Sequence, residues 1–150
     1  HNGSGHDRMG QASGDPAWNQ KFVCHLSEKI EGNAKQIVRT RAFALEDAEY
    51  LIVTFGCSVR SALETMRQAR GLGLKVGVLQ LQTLWPFPEE AVKGALEGVR
   101  GVLVPEMNLG QVAQEVQRLN RKNLPLVGVN KVRGEMITPD EIMTGLKEIL

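Results

Sequence analysis

The fold turns on Glu49-Tyr50-Leu51-Ile52-Val53-Thr54-Phe55-Gly56-Cys57-Ser58, continued after a helical run by Lys75-Val76-Gly77-Val78-Leu79-Gln80-Leu81. Residues 51–55 are a continuous apolar run rich in β-branched and aromatic side chains, the composition of a strand covered on both faces. Gly56 supplies a tight turn, and the Ser58 hydroxyl is placed to cap the helix that follows. Val59, Ala62, Leu63, Met66 and Ala69 recur at spacings of three and four, which sets them on one helical face. Gly71 and Gly73 end that helix, and a second buried strand over 75–81 completes a right-handed βαβ unit.

Toward the C terminus the alternation continues. Thr83-Leu84-Trp85-Pro86-Phe87-Pro88-Glu89-Glu90 is a proline-stiffened turn that opens a helix, with the acidic pair complementing the helix dipole. Gly101–Pro105 is a third strand. Glu106-Met107-Asn108-Leu109-Gly110-Gln111 leads into a helix whose buried face is Val112, Val116 and Leu119, and Asn108 and Gln111 have the spacing of a capping box. Leu126–Asn130 is a fourth strand, Lys131–Met136 a charged loop, and Thr138-Pro139-Asp140-Glu141 a full helix start for a helix lined by Ile142, Leu146 and Ile149.

Toward the N terminus, Arg39–Asp47 reads as an extended edge segment. Asp15-Pro16 starts a helix in which Trp18, Phe22, Leu26, Ile30, Ala34 and Ile37 form an apolar stripe to about Val38, interrupted by Gly32. That stripe either packs on the sheet or forms an arm over a neighbouring domain. The divisions are thus residues 1–16 as linker or loop, 17–48 as amphipathic helix and extended connection, and 49–150 as an α/β domain. Helices alternating with strands give a three-layer α/β/α sandwich on a mostly parallel, Rossmann-like sheet. The strand at 51–55 is central, in the order second, first, third, fourth. The switch point, where open α/β sheets place ligands or partners, then falls between Gly56-Cys57-Ser58 and Glu106-Met107-Asn108.

Composition bounds the function. A chain of 150 residues with 42% apolar and 23% charged residues is an ordinary globular domain. The formal charge of +1 gives no field that would draw nucleic acid, and no apolar run reaches membrane-spanning length. Two cysteines are too few for a disulfide framework, which points to a reducing, cytoplasmic setting. The chain does not begin with Met and reads as a piece of something longer.

Several residues at the strand ends could carry chemistry, each with a plainer structural role beside it. Cys57 at a helix start is a conceivable nucleophile, or a small turn residue. Glu106, at the tip of the third strand, is an acid or base, or a partner for loop amides or the helix start. Asn108 and Gln111 contact a ligand or cap a helix. Lys131 and Arg133 bind an anion or acidic partner, or belong to a solvated loop. Trp85 and Phe87 are a core plug or an interface anchor. Together with Gly56 and Ser58 these residues form the candidate crevice or interface; no residue is assigned a catalytic, cofactor-binding or metal-binding role. There is no G-x-G-x-x-G fingerprint, no phosphate loop and no pair of C-x-x-C motifs. The outline is that of a nucleotide fold without nucleotide-binding motifs.

Three segments carry a resemblance. Thr54-Phe55-Gly56-Cys57-Ser58, the Leu84-Trp85-Pro86-Phe87-Pro88 turn and Val104-Pro105-Glu106-Met107-Asn108-Leu109-Gly110-Gln111 resemble the C-terminal, transketolase C-terminal-like domain of the α subunit of 2-oxoacid:ferredoxin oxidoreductases, nearest the 2-oxoglutarate branch. Gly3–Gly10 is similar to the family's T-G-x-x-H-D-E-x-G loop, with Asn2 in place of Thr and Arg8 in place of Glu. Lys131-Val132-Arg133-Gly134 with Thr138-Pro139 fits the family's C-terminal end. The resemblance implies oxidative decarboxylation of a 2-oxoacid to an acyl-CoA with electrons passed to ferredoxin. It implies thiamine diphosphate, Mg and iron–sulfur clusters in other domains or subunits. The implied partners are the remaining α-subunit domain and the β subunit, with ferredoxin and coenzyme A for the whole complex. The alternatives are the corresponding domain of a transketolase or 2-oxoacid dehydrogenase β subunit, and a stand-alone flavodoxin-like binding module.

Overall fold

The computed structural model describes residues 5–150, so the start of the His-Asp loop, Asn2 to Ser4, lies outside the described residues. The chain divides into two compact units, with the boundary between Val38 and Arg39.

In the first unit a single antiparallel bridge joins His6 to Ala12. The Asp7 carboxylate closes the loop by accepting from the Met9 and Gln11 amides at 2.8 and 2.9 Å. Asp15 caps α1 (Pro16–Glu31) by accepting from the Ala17 amide, with Pro16 in the first turn where its missing N–H costs nothing. The helix expected from the stripe, interrupted at Gly32, is two pieces. α1 ends at Gly32, and a turn at Gly32-Asn33 leads into the short α2 (Ala34–Ile37). No residue of either helix is buried.

The second unit is the α/β layer structure. Its elements are β1 (Thr40–Phe43), β2 (Tyr50–Phe55), α3 (Ser58–Gly71), β3 (Val76–Leu81), α4 (Glu89–Leu96), β4 (Gly101–Glu106), α5 (Gln111–Leu119), β5 (Leu126–Asn130) and α6 (Pro139–Lys147). The sheet order is β1-β3-β2-β4-β5. The four parallel strands therefore follow the expected order, and the segment before them is an antiparallel edge strand on β3.

The two-residue period of each strand sorts its side chains onto two cores. Leu51, Val53, Val102 and Val104 pack with Val92, Leu96, Val112 and Val116 on the α4–α5 side. Ile52, Val78 and Leu103 pack with Ala62, Ala69, Ile142 and Leu146 on the α3–α6 side. Burying each such Val, Leu or Ile stabilises by about 1.5–3 kcal/mol, which makes β2 and β4 the strands the domain depends on most. Pro105 has no N–H to extend the ladder, and the β2–β4 pairing ends at Ile52–Leu103. Beyond it the buried Thr54 hydroxyl donates to the Pro105 carbonyl at 3.0 Å.

Two expectations about α3 change. Ser58 is the first helical residue and is buried, and the N-cap position is Cys57, which makes no side-chain capping bond. The buried face is also rotated. Val59, Ala62 and Ala69 are buried as expected, but Leu63 and Met66 are half-buried, and Ser61 and Thr65 share the interior. Those two hydroxyls donate to the Ile137 and Pro139 carbonyls at 2.6 and 3.1 Å, satisfying polar groups that burial would otherwise penalise. α6 starts as its sequence indicates, with a capping box between Thr138 and Glu141.

Candidate functional site at the carboxyl edge of the sheet

All the candidate residues lie at or just beyond the carboxyl ends of the parallel strands. Gly56, Cys57 and Ser58 follow β2. Trp85 and Phe87 follow β3. Glu106, at the end of β4, precedes Asn108 and Gln111, and Lys131 and Arg133 follow β5. Gly56 adopts φ of 58°, a left-handed conformation costly for any residue with a Cβ.

Glu106 is fully buried, with 0% of its surface exposed. Its two carboxylate oxygens accept from the Val112 and Ala113 amides, both at 2.9 Å. These are the second and third amides of α5, so a strand tip caps the next helix. The carboxylate also sits where the helix dipole favours negative charge. A helix N-terminus in this position is the usual seat of a phosphate; here the chain's own anion fills it.

Asn108 and Gln111 do not form the reciprocal capping box their spacing suggests. The helix begins at Gln111, with Gly110 at the N-cap in a left-handed conformation of φ 98°. Asn108 Oδ1 instead accepts from the Gly110 amide at 2.8 Å and the Gln111 amide at 3.3 Å. Gln111 Oε1 accepts from the Leu109 amide at 3.0 Å. Both side chains hold the turn itself.

Cys57 is exposed, and its thiol lies 3.3 Å from the Met107 sulfur across the β2–β4 boundary. A thioether is a weak acceptor and takes no proton, so the contact supplies no base to make a nucleophile. Among the described residues no group of three or more His, Cys, Asp or Glu side chains is arranged to hold a metal ion.

Lys131 is an internal clamp. Its ammonium donates to the Glu141 carboxylate at 2.9 and 3.2 Å and to the Met136 carbonyl at 3.1 Å, and its side chain is only 12% exposed. The Thr138 backbone amide first, and Lys131 second, hold the Glu141 carboxyl down at about 2. The Lys131 charge is thus matched within the chain, and an anion or acidic partner would compete with Glu141 for it. Arg133 is exposed in the same loop.

The turn after β3 splits its two aromatic residues. Pro86 and Pro88 are buried, and Phe87 is half-buried against the α4–α5 core, while Trp85 is 68% exposed. The sequence reading missed four further apolar residues exposed at this end of the sheet. Leu84, Leu109, Val132 and Met136, at the ends of β3, β4 and β5, are all exposed as well. Strand alternation carries no signal for such residues, because they lie in loops. In the first unit a cavity of about 500 Å³ is lined by His6, Arg8, Trp18, Phe22, Cys24 and His25, among others. There the Trp18 indole donates to the His6 carbonyl, and the His6 and Phe22 rings meet edge to face.

Residues 48–142 match the family model described as pyruvate:ferredoxin oxidoreductase core domain II. The chain is 34% identical over 139 residues, 92% of its length, to the 2-oxoglutarate synthase subunit KorA of Methanothermobacter marburgensis. It spans 37% of that relative's length. Among solved structures, it superposes with a TM-score of 0.74 and 22% identity on the 2-oxoglutarate:ferredoxin oxidoreductase from Magnetococcus marinus, over 97% of this chain and 25% of that one. It also superposes on a split-gene transketolase with a TM-score of 0.62 and 20% identity, over 73% of this chain and 41% of that one. The fold is thus shared with the transketolase C-terminal-like group, and the chain itself belongs to the pyruvate:ferredoxin oxidoreductase core domain II family.

Proposed function

We propose that this chain is the C-terminal domain of the α subunit of a 2-oxoacid:ferredoxin oxidoreductase acting on 2-oxoglutarate, and that it contributes packing and subunit assembly rather than catalytic groups. The similarity to KorA supports the substrate class. The observation that carries the noncatalytic role is the state of Glu106: its buried carboxylate occupies the α5 amides that would receive a diphosphate. The other polar candidates are similarly engaged, Asn108 and Gln111 in their own turn and Lys131 with Glu141. Thiamine diphosphate with Mg, and the iron–sulfur clusters that pass electrons to ferredoxin, are assigned to the remaining domains and subunits. The exposed Leu84, Trp85, Leu109, Val132 and Met136 form the surface on which those parts pack.

Calorimetric titration of thiamine diphosphate with Mg into the 150-residue chain tests the noncatalytic reading. No saturable heat is expected, and binding with a dissociation constant of about 1 μM would overturn it. The substrate class is tested in the complete enzyme by following ferredoxin reduction, which should be faster with 2-oxoglutarate than with pyruvate or a branched 2-oxoacid.

A further inference from the structure

We propose that the free edge of β5, with the acidic face of α6 beside it, is an acceptor site for an extended, lysine- or arginine-bearing segment of a partner polypeptide, added as a sixth strand. β5 pairs with β4 alone among the described residues. The Val102 amide donates to the Pro125 carbonyl and the Lys131 amide to the Glu106 carbonyl, so the odd-numbered residues of this strand face β4. Alternation then directs the N–H and C=O groups of Leu126, Gly128 and Asn130 outward, a ladder ready for another strand.

Native edges usually carry a device against such pairing, such as a charge, a proline or a bulge. The other edge of this sheet has one: β1 is four residues long and carries the exposed Arg41. β5 has five residues, Leu126-Val127-Gly128-Val129-Asn130, with no charge or proline among them; the flanking Pro125 and Lys131 both turn their backbone groups toward β4 and leave the outer ladder open. Gly128 is exposed at its centre, where the lack of a side chain lets a second backbone approach.

Charge selects the occupant. A groove of about 380 Å³ runs along this edge, lined by Val127, Gly128, Val129, Glu141, Thr144 and Glu148, among others, and no lining residue is basic. Glu141 is matched by Lys131, while Glu148 is exposed on the same face of α6. A second copy paired edge to edge about Gly128 would bring Glu148 toward its own counterpart, whereas a strand with lysine or arginine on that face brings the complementary charge.

The test uses the 150-residue chain and two capped peptides of alternating valine with lysine or with glutamate. The lysine peptide is expected to bind, to shift the Gly128 and Asn130 amide resonances and to protect those amides from exchange. Gly128→Pro removes an outward N–H without touching the ladder to β4, and should weaken binding about tenfold or more. Glu148→Gln, at an exposed helix end, should weaken it about threefold and leave the melting midpoint unchanged. Equal binding of the two peptides, absence of lysine-peptide binding at about 1 mM, or wild-type affinity in Glu148→Gln would each overturn the proposal. So would a concentration-dependent dimer of the chain that Gly128→Pro dissolves, since the occupant would then be a second copy. Should Gly128→Pro fail to fold, the Glu148→Gln and peptide-charge comparisons still decide.

Discussion

Glu106 does work that is usually left to a Ser, Thr or Asp at a helix start. Its carboxylate reaches α5 from the preceding strand, and its two bonds go to Val112 and Ala113, six and seven residues on. Glu106→Ala leaves two interior amides without partners, at about 1–3 kcal/mol each, so the expected loss is about 2–5 kcal/mol in a urea melt. Glu106→Gln keeps the shape but turns a donor toward an amide, and should recover only part of that loss. Glu141 permits a pH experiment. Its carboxyl is held at about 2, below its ordinary value of 4.5, so its contribution is present above 4.5 and disappears as pH falls toward 2. The difference in denaturant midpoint between wild type and Glu141→Gln should therefore be larger at about pH 6 than at about pH 3. A difference that grows on acidification would contradict the Thr138–Lys131–Glu141 arrangement. The Lys131–Glu141 pair also bears on truncation: Lys131→Ala should lower the midpoint measurably, and half-buried Leu63→Ala should sit at or below the low end of the roughly 2–5 kcal/mol of a full core truncation.

At the level of elements, glycine positions separate what packing demands from what it merely tolerates. A Cβ on Gly145 in α6 would stand 2.6 Å from a Val129 methyl and 3.0 Å from a Leu103 methyl, so α6 lies directly on β4 and β5. A Cβ on Gly94, within α4, meets nothing within 4 Å. Gly145→Ala should thus destabilise by about 1–3 kcal/mol through overpacking, while Gly94→Ala should stabilise by about 0.5–1 kcal/mol through helix propensity. Thermal melts moving in the same direction for both variants would refute the assignment of α6 to the sheet. The same scale shows what the sequence could reveal. Apolar runs over 51–55, 76–81 and 101–105 are largely buried, so each strand was legible alone, and the helical crossovers between them signalled a parallel sheet with the most apolar strand near its centre. The long stripe from Trp18 to Ile37 was legible with its interruption at Gly32, and the break there separates two helices. The rotation of α3 was hidden because Ser61 and Thr65 look polar in sequence; their burial depends on carbonyls at Ile137 and Pro139, far along the chain. A loop of only ten residues' separation concealed that Glu141 neutralises Lys131, because nothing in the pattern says how that loop folds back.

For the whole molecule, the decisive contrast is between two aromatic residues separated by one proline. Phe87 packs against the α4–α5 core, whereas Trp85, next to it in the turn, is 68% exposed. A monomeric domain gains nothing from displaying an indole while Leu84, Leu109, Val132 and Met136 are also exposed at the same end of its sheet, and burial against another surface recovers that apolar area. Phe87→Ala should therefore lower the stability of the chain by itself, by up to about 3–5 kcal/mol and less in proportion to its partial exposure. Trp85→Ala should leave that stability within about 0.5 kcal/mol of wild type. In the assembly proposed above the order should reverse: Trp85→Ala weakens association with the other domains and subunits by about 2 kcal/mol or more, as loss of a central aromatic anchor does. Urea melts of the chain and sedimentation of the assembled enzyme read the two effects separately. If Trp85→Ala moved the melt and left assembly intact, the indole would belong to the core and the carboxyl edge would lose its claim as the packing surface.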